Sequence, residues 1–502
     1  MWLARHPRTR HHLPLALVLV AGASLRLWQI GAVGFNSDEA VYAGQAAGIV
    51  GDPELSELFP VFRAHPLLFQ TILSLCYLGG VDDVVGRVLV VAFGVATIGL
   101  VHLLGQLLYG RRVGLTAAAI VALMPYHIDV SRQVLLDAPM LLFAVLALYF
   151  VARYCQEGDG RWLAAAGIGL GLAFLTKETA ILLVGGLFVF FVLSQGVRIR
   201  RRDAVIALGL ATVIAAALPV SLRFSGRTST GQSYLGWQLF RPANHDLLFY
   251  LQTVPFAITL PVVVLAVAAL WWTRRRLTWR ELLLICWAAI PVVYFEIWPV
   301  KGYHYLLVIV PVVAVLAARM LVELPVGRVR SPRAVRAIRA AVTGAVMFAL
   351  LVPAWGRVNP QPTTTFLAGS GGLPAGREAG EWIDANLPAG SRLLTLGPSM
   401  ANVVRFYGHR PAFGLSVSPN PARRNPSYQP VENPDRQLRE GDLPYIVWDA
   451  YTAARSPFFS ERLLRYVQKY RGVVLHTETI DVESADGTVV SKPVIIVYQV
   501  RP

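Results

Sequence analysis

Two adjacent acids carry the first hint of chemistry: Asp38 and Glu39 in "GFNSDEAVYAGQA" (34–46), just past the end of the first apolar run. A carboxylate in that position can act as a general base, taking a proton from a hydroxyl. It can equally serve a helix start, because Asn36, Ser37 or Asp38 would cap a helix beginning at Glu39 and acids favour its positive end. Further ionisable groups stand at the ends of later apolar runs: His65, Arg132, Asp137, Lys177, Glu178, His245, Asp246, then Lys301, Tyr303, His304 and Tyr305. Each has a plain structural reading as well. Asp137 ahead of Ala138-Pro139 suits a cap, Lys177 and Glu178 suit an interfacial anchor, His65 before Pro66 suits a helix start, and His245 in "NHDLLFY" suits an interfacial cap. Lys301 is harder to assign to structure, since the short turn "PVKGY" has little need of a cation.

Ionisable groups near hydrocarbon are costly and by default mark a site. Transfer of a sugar from a lipid-linked phosphate uses such a mixture. The leaving group is an anionic phosphate at the membrane surface, so cations must hold it and stabilise the charge that grows as the C–O bond breaks. One carboxylate suffices to deprotonate the acceptor hydroxyl, and a direct displacement then inverts the anomeric centre. Asp38 is the natural base, with Glu39 as its neighbour for orientation or acceptor binding.

The elements that position these groups are apolar helices. Of 502 residues 55% are hydrophobic and 15% charged, with a mean hydropathy of +0.52; soluble domains carry about 25% charged residues. Runs near the ~20 residues that span hydrocarbon recur through the first 355 positions. The net charge of +16 does not point to nucleic acid, because the arginines fall in short clusters between apolar runs, as the positive-inside rule places them. Arg5, Arg8 and Arg10 with "AGA" (21–23) resemble a secretory signal, but the apolar run continues to Ile30, and a retained first helix is expected. Cys76, Cys155 and Cys286 lie far apart in apolar segments, which favours packing over disulfides or a thiolate metal site.

A cytoplasmic N-terminus predicts eleven crossings: about 13–30, 86–108 and 113–130, a fourth starting near Asp137, and seven more ending near Trp355. The stretch 65–80, about 15 apolar residues, is expected to be interfacial or re-entrant rather than spanning. With that choice every arginine-dense loop falls on one side, and Asp38, Glu39, Asp82, Asp83, Asp137, Glu178, Asp246 and Glu296 fall on the other. Residues 1–355 thus read as a transmembrane domain whose first outer loop covers about 31–85. Residues 356–502 read as a small α/β domain on the outer face, with helices at "GREAGEWIDANL" and "SERLLRYVQKY" and strands at "SRLLTLG", "LPYIVWDA", "GVVLHTETI" and "KPVIIVYQV". The tail lacks a Gly-rich phosphate loop or a nucleophile motif, so binding or positioning suits it; "LAGSGGLPAG" (367–376) reads as a linker.

"SDEAVYAGQA", "HPLL", "GRVLVVAFGVATIGLVHLLGQLLYGRR", "SRQVLLDAPMLLFAVLALYF", "GLAFLTKETA" and "KGYHYLLVIVPVVAVLAAR" follow one another as in the GT-C membrane glycosyltransferases. Over about 30–320 the chain resembles the branch holding protein O-mannosyltransferases, lipid A aminoarabinose transferases and RgtA/B/C/D-like enzymes. The resemblance implies an inverting transferase in the cell membrane, moving a sugar from a polyprenyl-phosphate donor to a hydroxyl of an envelope glycan, lipid or protein. It implies Asp38 as the base and Asp137 beside it in the cavity. His65 stands where the aminoarabinose transferases have a lysine near the donor phosphate. The residue before it is acidic there and Ala64 here, so a divalent metal of that type has only a faint match, His245. Lys301 and Tyr305 match the region that closes over the lipid phosphate. The large sugar-binding insert of the protein mannosyltransferases is missing. Two other classes are compatible with the composition: a lipid-linked-sugar flippase, which would show paired helix breaks in two halves, and a non-catalytic envelope scaffold.

Overall fold

The computed structural model describes residues 7–61, 65–226, 228–326, 331–359, 371–483 and 487–501. Ala64, Arg328, Arg330 and the first part of the 367–376 stretch lie outside the described residues, as does Arg5.

The apolar runs form helices where the pattern predicts them. Pro7–Leu27 leads into the first loop. Asp83–Tyr109 starts at Asp82, whose carboxylate accepts the Val85 N–H at 2.9 Å. Gly110, at φ 94°, then turns the chain directly into Arg111–Leu123, a conformation that glycine adopts without strain. Pro125 has no N–H to continue that helix, so the run breaks and resumes as Pro125–Val130. Asp137–Glu157, Gly160–Thr176, Ile181–Leu193, Arg201–Ala215, Trp279–Ile297, Val310–Glu323 and Pro332–Val358 follow. Large apolar side chains such as Phe188 and Val213 stay exposed on these helices, as do Phe224 on Ala217–Phe224 and Trp271 on Leu260–Thr273, a surface suited to hydrocarbon.

Among the described residues five helices are long and apolar enough to cross a membrane alone, and a sixth crossing arises if Phe249–Ile258 and Leu260–Thr273, bent by 99°, count as one. The other apolar helices, in segments where eleven crossings were expected, are shorter or broken. Gly160–Thr176, at 17 residues, rises only about 26 Å, less than the roughly 30 Å of a hydrocarbon core. The 65–80 stretch is short as expected: it forms the helix Leu68–Cys76 and one further turn, and packs against the first-loop helix Ser37–Val50 with Gln70 donating to Gln45 at 3.1 Å.

Residues 371–501 form a layered α/β unit around five strands: β1 (Leu393–Thr395), β2 (Ala412–Gly414), β3 (Tyr445–Asp449), β4 (Val473–Glu483) and β5 (Val489–Gln499), in the order β2-β1-β3-β5-β4. β1 runs parallel to β2 and β3, while β5 pairs antiparallel with β3 and β4. Side chains alternate between two cores, as the pleat requires. Leu393, Tyr445 and Val447 face the helices Gly376–Asn386 and Pro398–Tyr407; Leu394 and Ile446 face Pro434–Glu440 and Pro457–Lys469. The predicted helices and strands are all present; β2 and the helices Pro398–Tyr407, Pro434–Glu440 and Ala450–Arg455 go beyond them.

This unit is seated on the first loop. Leu373 N–H donates to the Gly34 carbonyl at 3.1 Å, and Asn402 donates to Ser37 Oγ at 3.0 Å. Arg377 pairs with Asp83 at 2.5 Å; the Tyr407 hydroxyl donates to Asp83 at 2.6 Å and accepts the Phe35 N–H at 2.8 Å.

Candidate active site

The helix Ser37–Val50 has a complete capping box, and its cap is Asn36. The Asn36 side chain accepts from the N–H groups of Asp38 and Glu39, while Glu39 reaches back to the Asn36 N–H at 3.0 Å. Glu39 is 0% exposed and all its acceptor directions are used. Its Oε1 takes Arg87 Nε at 2.8 Å and the Val134 N–H at 3.0 Å, and its Oε2 takes Arg87 Nη2 at 2.9 Å. Glu39, expected beside the base for orientation or acceptor binding, clamps the loop to the helix Asp83–Tyr109. Asp38 needs to do none of this. Its half-buried carboxylate makes no hydrogen bond or ion pair among the described residues, and it lines a cavity of about 280 Å³ between loop and tail.

Around Tyr42, one helical turn beyond Asp38, several predicted residues meet. Burial and then the charge of Asp38 push the Tyr42 phenol well above its usual range, and Asp137, Glu178 and Tyr234 act on the same hydroxyl. His65 Nδ1 faces Glu178 at 3.0 Å, its Nε2 meets the Tyr234 hydroxyl at 3.2 Å, and its ring lies edge-on to Tyr42. Lys177 donates to both Asp137 oxygens at 2.7 and 2.9 Å and lies 4.7 Å from the Tyr305 ring centroid; His304 Nε2 is 3.7 Å from Asp137. Gly302 leaves room for that ring, since a Cβ there would come within 2.8 Å of it. Asp38, His65, Asp137, Lys177, Glu178 and Tyr305 therefore belong to one constellation.

Other predicted residues do not join it. Arg132 donates to the carbonyls of Leu25 and Arg26, both at 2.9 Å, and so closes the C-terminal end of the first helix. Lys301 donates to the carbonyls of Phe295 and Glu296 at 3.1 and 2.6 Å, closing Trp279–Ile297, and lies over the Tyr250 ring. Both corrections have one cause: the last carbonyls of a helix have no partner within it and draw a cation. The Tyr303 hydroxyl donates to Asp129 at 3.0 Å, buried away from Asp38. His245 stacks on Phe249 at 4.2 Å, and burial with nearby Arg455 pushes its pKa down. Among the described residues no three His, Cys, Asp or Glu side chains converge as metal ligands, so the residues around His245 do not fit the metal that the resemblance raised.

Sequence reasoning missed Tyr42, Tyr234 and Arg241. Arg241 makes one long contact to Gln238, at 3.4 Å, stacks on Trp237, and is close enough to Tyr234 and Tyr305 to act on both phenols. Tyr42 was within reach of sequence reasoning, because residues four apart share a helix face.

The fold that holds this constellation is that of the GT-C membrane glycosyltransferases, in agreement with the resemblance read from the motifs. The chain superposes on ArnT from Cupriavidus metallidurans bound to undecaprenyl phosphate with a TM-score of 0.66 at 16% identity, covering 98% of each chain. It superposes on the oligosaccharyltransferase AglB from Archaeoglobus fulgidus, in complex with an inhibitory peptide and a dolichol-phosphate, with a TM-score of 0.59 at 13% identity, over 98% of this chain and 75% of that one. A family profile described as dolichyl-phosphate-mannose-protein mannosyltransferase matches residues 64–222. YkcB of Bacillus subtilis (strain 168), named as a candidate mannosyltransferase, is 24% identical over 144 residues, which is 28% of this chain and 20% of that protein. The match thus spans about a fifth of that relative's length.

Proposed function

We propose that this chain is an inverting glycosyltransferase that moves a sugar from a polyprenyl-phosphate donor to the hydroxyl of a cell-envelope acceptor on the extracytoplasmic face. The observation that carries the reading is Asp38, a carboxylate without a partner among the described residues, lining a cavity, in a chain where Glu39 is saturated and Asp137 is paired with Lys177. Asp38 takes the acceptor proton as the acceptor oxygen attacks the anomeric carbon. The C–O bond to phosphate breaks on the opposite side, and the phosphate leaves as an anion toward Lys177 and Arg241. Lys177 is preset by Asp137, and Arg241 brings a planar fork suited to phosphate. His65, bridged between Glu178 and Tyr234, orders this wall rather than standing as an isolated cation. The lipid phosphates bound by ArnT (undecaprenyl phosphate) and AglB (dolichol-phosphate) support a lipid-phosphate ligand for the shared fold.

The test is consumption of polyprenyl-phosphate sugars by purified protein, offered as a panel of donors. Asp38→Asn is expected to lower turnover by about 10²–10⁴-fold while donor affinity holds. Turnover above roughly half of wild type in Asp38→Asn would remove Asp38 as the base.

A further inference from the structure

The cavity that Asp38 lines has a second wall, and it belongs to the tail. Three segments build that wall, and each follows the carboxyl end of a parallel strand: Ser399 after β1, Ser416 after β2, and Asp449 with Tyr451 and Arg455 at and after β3. In open α/β sheets the crevice outside the strands' carboxyl ends is where ligands bind. Asp449 supplies an independent sign. It is 1% exposed, and its Oδ1 accepts the Thr452 N–H at 2.7 Å, starting the short helix Ala450–Arg455. Its Oδ2 is buried on the cavity wall with no hydrogen-bond partner among the described residues. Burial raises the pKa of that carboxyl, opposed by the backbone and side chain of Thr452 and then by the charge of Arg455. A buried acceptor left unpaired is unfavourable, and this one borders an open space.

We infer that this cavity is an acceptor subsite for a sugar residue, with Asp449 Oδ2 receiving hydrogen bonds from its hydroxyls. The word acceptor rests on the transferase reading above; the sugar binding does not. A volume of about 280 Å³ is at the small end of ligand pockets, roughly 300–1,000 Å³, and suits a single ring rather than an acyl chain. Serine hydroxyls on the wall donate and accept as a polyol requires, and Tyr451, seated in the core with its hydroxyl on the Pro374 carbonyl, lends the lining an apolar side chain for the C–H side of a sugar. Two carboxylates, Asp38 and Asp449, outnumber the one lining cation, Arg455, and so disfavour an anionic headgroup. A sugar held by Asp449 on the tail wall presents its remaining hydroxyls toward Asp38 on the loop wall.

Saturation-transfer NMR on the full chain in detergent tests this, with the methyl glycosides of mannose, glucose, galactose and arabinofuranose as probes and a Ser/Thr peptide as the competing arm. Wild type should bind at least one glycoside. Asp449→Asn keeps an oxygen for the Thr452 N–H and should melt close to wild type, yet weaken that glycoside roughly tenfold or more. Tyr451→Leu should weaken it as well, and decides the matter if Asp449→Asn fails to fold. Absence of glycoside binding in wild type, unchanged affinity in the folded variants, or binding of the peptide alone would overturn the subsite. Donor consumption measured in parallel separates the two readings. Glycoside binding without donor consumption sinks the transferase and leaves the subsite; donor consumption without glycoside binding does the reverse.

Discussion

Asp38 and Glu39 are neighbours with opposite roles because a helix turns about 100° per residue and can point only one of them at Arg87. Their presence as a pair was legible in the sequence, as was the helix start. Which one faces the cavity was not, because that depends on Arg87 and on the Val134 N–H, 48 and 95 residues away. The difference is measurable as stability. Removing one partner of a buried ion pair costs about 3–5 kcal/mol, so Glu39→Gln should lower the melting temperature sharply and reduce the yield of folded protein. Asp38→Asn removes no contact and should melt as wild type does. Equal melting curves for the two variants would show that the Arg87 clamp contributes nothing to the fold.

At the scale of the element, the helices were readable from apolar runs, and their breaks less so. "LQTVPFAITLPVVV" carries Pro255 and Pro261 within one apolar run; the chain turns by 99° at Thr259, which sits at φ 81°. The cations at helix ends show a similar ambiguity. A lysine a few residues past a helix is a C-capping signal, and "WPVKGY" fits that as well as it fits a phosphate site; only the positions of the Phe295 and Glu296 carbonyls decide between them. Lys301→Ala should therefore act on the helix. Two hydrogen bonds at about 0.5–1.5 kcal/mol each, with the charge–dipole contribution, predict a lower melting temperature with donor affinity within about twofold of wild type. A donor titration beside a thermal melt checks both. A large loss of donor affinity at unchanged stability would return Lys301 to the phosphate.

For the whole molecule, the consequential feature is the seating of the tail on the first loop, which no local pattern announces: Asp83 meets Arg377 and Tyr407 across roughly 300 residues of chain. Composition separated the two parts, and the strand and helix signals gave most of the tail's elements. Their docking depends on a few long-range polar contacts and on Phe35 packing against Phe406 at 5.1 Å. If the tail completes the site, loosening that seat should harm transfer without touching the membrane helices. Tyr407→Phe deletes the hydroxyl that donates to Asp83 and accepts the Phe35 N–H, leaving a buried N–H unpaired at a cost of about 1–3 kcal/mol. Arg377→Ala removes the ion pair from the same carboxylate. The combined variant should show faster hydrogen exchange in the helix Pro398–Tyr407 and in the loop that precedes Ser37. Its acceptor-dependent turnover should fall, while affinity for polyprenyl phosphate, which the proposal assigns to Lys177 and Arg241, stays as in wild type. Normal turnover in a variant whose exchange has risen would mean that the tail is a passenger on the loop and that Asp38 works from the membrane side alone.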